Sequence, residues 1–290
     1  KFLVVTLCAL VAVASARHIT LEDVINFEEN SAYGYITRIG IPLAEKVRKL
    51  EEKASSDPSR IIGGSLAYLG QFPYQVGLLT ENPRGTSLSS AALVSPTRVL
   101  TAAHNLNDAV VSVTKVTVVL GSITIYTGGT RIVTTDFVLH ENWTPAIIRN
   151  DVAMVNLPYA VSISNIVAPI ALPSGSLLNE DFAGEIAIAS GFGKTSNDGG
   201  VSFNQPLSFV HLPVITNEEC ADVYNDIFVQ PSNVCTSGEG NKNICTGDSG
   251  GPLAVTRNGI PILIGITSFG SGDCEASQPS AFARVTSFMG

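Results

Sequence analysis

The stretch Cys245-Thr246-Gly247-Asp248-Ser249-Gly250-Gly251-Pro252-Leu253-Ala254 decides how the rest of the chain is read. Ser249 has a glycine on either side within two residues and directly follows an acid. Glycine reaches backbone geometries closed to other residues and leaves no side chain in the way of an approaching group. A turn built this way presents the Ser249 hydroxyl while the N–H groups of Gly247 and Ser249 point at a common position. That arrangement suits attack on a carbonyl and stabilisation of the resulting oxyanion. A polar surface turn between strands has a similar composition, so the meaning of the stretch depends on its company.

A serine nucleophile needs a base, and the base needs a group that orients it. Val99-Leu100-Thr101-Ala102-Ala103-His104 lies upstream, and Asn150-Asp151-Val152-Ala153-Met154-Val155 lies between, so the chain order is His, Asp, Ser. Gly247-x-Ser249-x-Gly251 also fits the strained elbow of another hydrolase class, which places its histidine after the serine. The four histidines, His18, His104, His140 and His211, all precede Ser249, which excludes that reading. An Asp-His-Ser order would have to use Asp23 or Asp57, both outside the strand-rich part of the chain. His140 and His211 have no comparable neighbours and read as structural or surface residues.

With these residues in place the chain resembles the chymotrypsin family of secreted serine proteases. The resemblance is carried by Ile61-Ile62-Gly63-Gly64, Leu100 to His104, Asp151 to Val155, Gly247 to Leu253, and Ser268-Phe269-Gly270, in the family's order. The loop from Cys235 to Cys245 is most similar to the arthropod digestive branch, the brachyurin-like chymotrypsins and collagenolytic enzymes. The resemblance implies an all-β fold of two six-stranded antiparallel Greek-key barrels, about 61–167 and 168–290, with the site in the cleft between them. Ala168 to Pro173 would cross from one barrel to the other. It implies His104 as base, Asp151 as its orienter, Ser249 as nucleophile, and the N–H groups of Gly247 and Ser249 as oxyanion hole.

The resemblance also implies a specificity pocket with Asn243 at its base and Ile244 as an apolar wall. Ser268, Phe269 and Gly270 would form one rim, and Ser280 would narrow the pocket without charging it. Asn243 carries no charge to pair a substrate Lys or Arg, so cleavage after Leu, Met, Phe or Tyr is expected. Elastase-like or collagenolytic specificity is the alternative, and an inactive protease-like binding protein is the competing class. All three triad residues are retained, which argues against that class. The family pattern pairs Cys220 with Cys235 and Cys245 with Cys274. It also has a bridge beside the histidine, whose positions here are Ser89 and Asn105. Its loss removes a loop closure of about 16 residues, worth about 3 kcal/mol in the chain-entropy account.

The remaining sequence fits this frame. The chain has 290 residues, 45% hydrophobic and 14% charged, enough to bury a sizeable core. Its net charge of −8 falls entirely after residue 60 and argues against a nucleic-acid or anionic-membrane partner. Residues 1–16 read as a secretory signal: Lys1, an apolar run from Phe2 to Val13, then Ala14-Ser15-Ala16. From Ile61 onward, short Val/Thr/Ile-rich runs alternate with glycine turns, as in Val110 to Tyr126, the texture of a sandwich or barrel.

Residues 17–60 are charge-rich, and Ile41 to Lys53 predicts a helix. Leu43, Val47 and Leu50 recur at helical spacing, Pro42 suits a helix start, and Glu45/Lys49 and Arg48/Glu52 are i,i+4 pairs. Ser55 to Ser59 reads as an exposed linker ending at Arg60. By resemblance, 17–60 is an activation propeptide removed by a trypsin-like enzyme, after which the Ile61 ammonium pairs with Asp248. The expected product is a monomeric extracellular endopeptidase of digestion, in the gut lumen or elsewhere, acting on proteins and subject to protein inhibitors. No cofactor or metal is implied, since CxxC and HExxH are both missing. The sequon Asn142-Trp143-Thr144 is a candidate glycan acceptor. The family continues past the position of Gly290 into a terminal helix.

Overall fold

The structure, a computed structural model of the chain, describes residues 30–53, 65–194 and 206–289. The signal-like residues 1–16, the linker, Arg60, Ile61 and the turn at Asp198 to Gly200 lie outside the described residues. Strand β1 (Ser65–Leu66) belongs to the second of two antiparallel sheets. The first sheet contains β2 (Gln75–Asn82), β3 (Gly85–Ser95), β4 (Arg98–Thr101), β5 (Lys115–Leu120), β6 (Thr130–Thr134), β7 (Phe137–Leu139) and β8 (Ala153–Asn156). Their order is β6-β5-β2-β3-β4-β8-β7.

The second sheet contains β9 (Ile186–Gly191), β10 (Ser208–Ile215), β11 (Asn233–Thr236), β12 (Pro252–Arg257), β13 (Ile260–Gly270) and β14 (Ser280–Arg284). Here β9 pairs with both β12 and β10, which closes a six-stranded barrel, and β1 adds to β10 outside the ring. The expected pair of barrels is present with one difference. The first sheet curls as a half-barrel of seven short strands, with no pairing that closes it among the described residues.

Strand period explains the cores. In β5, Val116, Val118 and Leu120 are buried at alternate positions on one face of the pleat, and Val119 is covered on the other. The Val/Thr/Ile-rich run around β5 is longer than the strand itself. Asp108 accepts the N–H groups of Val110 and Val111 and turns the chain before β5. Gly121, at φ +61°, ends β5 against Val167 and Ile166. The segment around Ala168 to Pro173 crosses as expected: Ile170 donates to Leu93 of β3, and Ala171 accepts from Leu263 of β13.

Helix α1 (Ile41–Lys53) follows a π-helical turn over Ile36–Gly40, and α2 (Asn217–Tyr224) starts at a Thr216/Glu219 capping box. Leu43, Ala44 and Val47 of α1 are buried, and they share an apolar cluster with Leu88, Ile125 and Phe192. The helix is therefore no free surface element: its apolar stripe rests on the strand-built part of the chain, mainly against β3. A 3-10 turn over Val285–Phe288 ends the described chain.

Candidate active site

The Thr-Ala-Ala-His run leaves β4 and turns at once into a single 3-10 turn, Ala103–Asn105. The turn points the fully buried His104 toward the start of β8, where Asp151 precedes the strand. Asp151 Oδ1 accepts the His104 backbone N–H at 2.9 Å, and Oδ2 lies 2.7 Å from His104 Nδ1. Two contacts to one carboxylate fix both the position and the ring orientation of the histidine. A third comes from Ser268, whose hydroxyl donates to Asp151 Oδ2 at 2.6 Å. A buried carboxylate tolerates its environment only with such partners.

Ser249 sits on the second barrel and is tied to the first. Its carbonyl accepts from Ser90 N–H at 2.9 Å and from Asn105 Nδ2 at 3.0 Å. Asn105 Nδ2 also donates to Thr101 Oγ1, and Thr101 in turn donates to the Ser90 carbonyl. This polar network, which includes Asn105 but not Ser89, joins the histidine turn to the serine turn. Gly247, at φ +105°, and Gly250, at φ +81°, hold geometry that side chains resist. A β-carbon at Gly250 would collide with Thr101 Oγ1 and Ser90 O, so glycine is what lets the two barrels meet here.

The Asp248 side chain turns away from this surface. Its oxygens accept from Gly193 N–H and Cys245 N–H, each at 2.8 Å. β-Carbons at Gly191 and Gly193 would strike the carboxylate, so these glycines make its berth. Burial pushes its pKa up to about 6, against the pull of the two backbone hydrogen bonds. The surface it retains borders a cavity of about 350 Å³ that Ser208, Phe209, Asn243 and Ile244 also line. Among the described residues no group of three or more His, Cys, Asp or Glu side chains is placed to hold a metal ion.

Residues 61–290 match the Trypsin family along their whole length. The chain belongs to the trypsin family of serine proteases. Curated relatives include a protein named Collagenase from Hypoderma lineatum, 37% identical over 232 residues, covering 79% of this chain and 85% of that one. Brachyurin from Leptuca pugilator is 36% identical over 233 residues, covering 79% and 95%. A solved structure titled HL collagenase superposes with a TM-score of 0.72 at 35% identity, over 79% of this chain and 95% of the other. The chain is thus a hydrolase of a family that acts on protein substrates.

The structure brings some of the other expected site residues together and buries others. Ser268 is fully buried beneath residues 30–53, and its hydroxyl is engaged by Asp151. Phe269 is fully buried as well, with Tyr224 and Phe228 packed edge-on against it. Asn243, Ser280 and Gly270 do come together. The Ser280 hydroxyl donates to Asn243 Oδ1, Asn243 Nδ2 donates to the Gln278 carbonyl at 2.7 Å, and Ser280 borders Gly270. Ile244 is buried in the core of the second barrel. Asp273 and Glu275 are exposed. Cys220–Cys235 and Cys245–Cys274 are both bonded. His140 and His211 lie away from the site, edge-on to Phe288 and Phe209.

Sequence reasoning missed what lies on top of His104 and the Ser249 turn. The Tyr35 ring meets the His104 ring edge-on at 5.0 Å, and Leu43 packs against Gly247. Only the helical period of Leu43 and Val47 hinted at a buried face there.

Proposed function

We propose that this chain is the zymogen of a secreted serine endopeptidase, activated by cleavage after Arg60. Ser249 attacks the scissile carbonyl, and His104 takes its proton and delivers it to the leaving amine. Asp151 holds the tautomer of His104 and stabilises the imidazolium. The N–H groups of Gly247 and Ser249 take up the oxyanion charge. The observation that carries the reading is the Asp151 carboxylate, which gathers His104 N–H, His104 Nδ1 and Ser268 Oγ beside the Ser249 turn.

Asp248 supports the activation step. It is held at a cavity with a raised pKa, the condition of a carboxylate lacking a cation. In the uncut chain the nitrogen of Ile61 is an amide. Cleavage would turn it into an ammonium, which the cavity and Asp248 are suited to take. Strand β1 pairs with Ser208 and Phe209 on the cavity wall. Ile61 lies four residues before Ser65, a reach of about 13 Å for extended chain. The two disulfides and the signal-like start at residues 1–16 are in keeping with an extracellular protein.

For specificity we favour cleavage after uncharged residues, Leu, Met, Phe or Tyr. Asn243 and Ser280 satisfy one another at the pocket base, so no carboxylate is offered there to a substrate cation. Collagenolytic specificity is the second reading, since relatives of similar identity are named Collagenase and Brachyurin. The test is kcat/KM of the cleaved protein on otherwise identical peptides ending in Leu, Phe, Ala and Arg, alongside fibrillar collagen. Leu and Phe should lead. A dominant preference for Arg would overturn the pocket assignment.

A further inference from the structure

Residues 30–53 run across the cleft from one wall to the other. At one end, Asn30 forms an antiparallel bridge with Ser271. Ser31 N–H donates to the Gly270 carbonyl at 3.4 Å, and Gly270 N–H donates to Ser31 Oγ at 3.1 Å. The edge of β13 at the expected pocket is thereby occupied. Ala32 packs in the same cluster as Phe269.

In the middle, Tyr35 is 1% exposed. Its hydroxyl donates to the Leu88 carbonyl at 2.8 Å, and its ring meets the His104 ring edge-on. His104 Nε2, the atom that should receive the Ser249 proton, has no hydrogen-bond partner among the described residues. Beyond Tyr35, Ile36 N–H donates to the buried Asp108 carboxylate at 2.9 Å. Leu43 then packs against Gly247, so an apolar side chain lies on the turn that carries the expected oxyanion donors. At the far end of α1, buried Glu51 accepts from Ile125 N–H, Tyr126 N–H and the Thr127 hydroxyl.

These contacts are anchored along the whole segment, by backbone pairing at one end and a buried carboxylate at the other. None of them presents a peptide carbonyl to Ser249. The segment therefore occupies the cleft without offering a bond to cut. We propose that residues 30–53 are a built-in ligand of the cleft: Tyr35 and Leu43 block Ser249, His104 and Gly247 in the uncut chain, and the segment stays bound as an inhibitor after Arg60 is cut. The proposal rests on the reading of these residues as the active site. It adds a steric lock to the Asp248 lock, so cutting alone does not free the enzyme; release of the segment does.

The test uses the full chain with an enteropeptidase site ending at residue 60 (Ser56→Asp, Pro58→Asp, Ser59→Asp, Arg60→Lys), which spares Arg38 and the lysines of α1. After cleavage, activity on a tripeptide substrate should rise at least tenfold on hundredfold dilution, as the segment dissociates. Tyr35→Ala should give full activity at once, and Tyr35→Phe should retain the ring and most of the inhibition. In parallel, cleaved Ser249→Ala protein should elute from gel filtration with its segment still attached, and Leu43→Asp should shed it. Thermal melting of each uncut variant checks that it has folded. Immediate full activity with no dilution effect, together with a segment that elutes apart, would overturn the proposal. If the Tyr35→Ala and Leu43→Asp proteins also stay inactive once cleaved and freed of the segment, while the segment co-elutes with cleaved Ser249→Ala protein, the catalytic reading fails and the binding stands.

Discussion

Asp248 offers a quantitative test of the uncut state. Burial raises its pKa from an ordinary 3.8 to about 6. At about 1.4 kcal/mol for each step of the pKa scale, this is about 2–3 kcal/mol, the lower figure allowing for water in the bordering cavity. The folded precursor holds the Asp248 proton to higher pH than the unfolded chain does. Its stability should therefore fall by that amount as pH rises from about 4 to above 6. The perturbation is Asp248→Asn in the uncut protein, assayed by urea unfolding at pH 4.5 and 7.5. Asparagine loses one of the two acceptor contacts to Gly193 and Cys245, but that cost is the same at both pH values. The wild type should lose about 1–2 kcal/mol more than the variant between them, since part of the effect is already spent below pH 4.5. After cleavage at Arg60 the difference should shrink or reverse, because the Ile61 ammonium would favour the ionised carboxylate. Equal pH dependence in the two precursors would refute the argument that Asp248 is buried without a cation.

Further outcomes follow from the contacts around the triad. Asn105→Ala should cost about 1–3 kcal/mol in unfolding free energy, since it strips the Ser249 carbonyl and Thr101 Oγ1 of a buried donor. Ser268→Ala should lower kcat/KM by about 10- to 100-fold, the worth of a hydrogen bond to a buried charge. Asn243→Asp should shift the kcat/KM ratio toward Arg substrates by about tenfold or more, with the Ser280 hydroxyl and the Ile244 N–H retained as donors to the new carboxylate.

The sequence made the chemistry legible because it is concentrated in short runs. The Gly-Asp-Ser-Gly-Gly turn, Ala-Ala-His and Asn-Asp each carry their own backbone constraint, and their order excludes other arrangements. The bounds of α1 were also legible, from its apolar period and its i,i+4 charge pairs. The Ser268 contact was not, because nothing local showed that its hydroxyl reaches the Asp151 carboxylate, 117 residues away along the chain. Asn105 read as half of a lost disulfide, and nothing local showed that its amide reaches 144 residues along the chain to Ser249. Tyr35 carried no signal at all. Its role depends on where a separate helix docks, and that docking is set by the shape of the cleft, not by any pattern near residue 35.

The most direct measurement is covalent labelling of the cleaved, segment-free protein with an organophosphonate probe, followed by peptide mapping. The account predicts one adduct per chain, on Ser249, lost in Ser249→Ala and strongly slowed in the uncut precursor. Correctly cut and folded protein that takes up no label at Ser249 would contradict it.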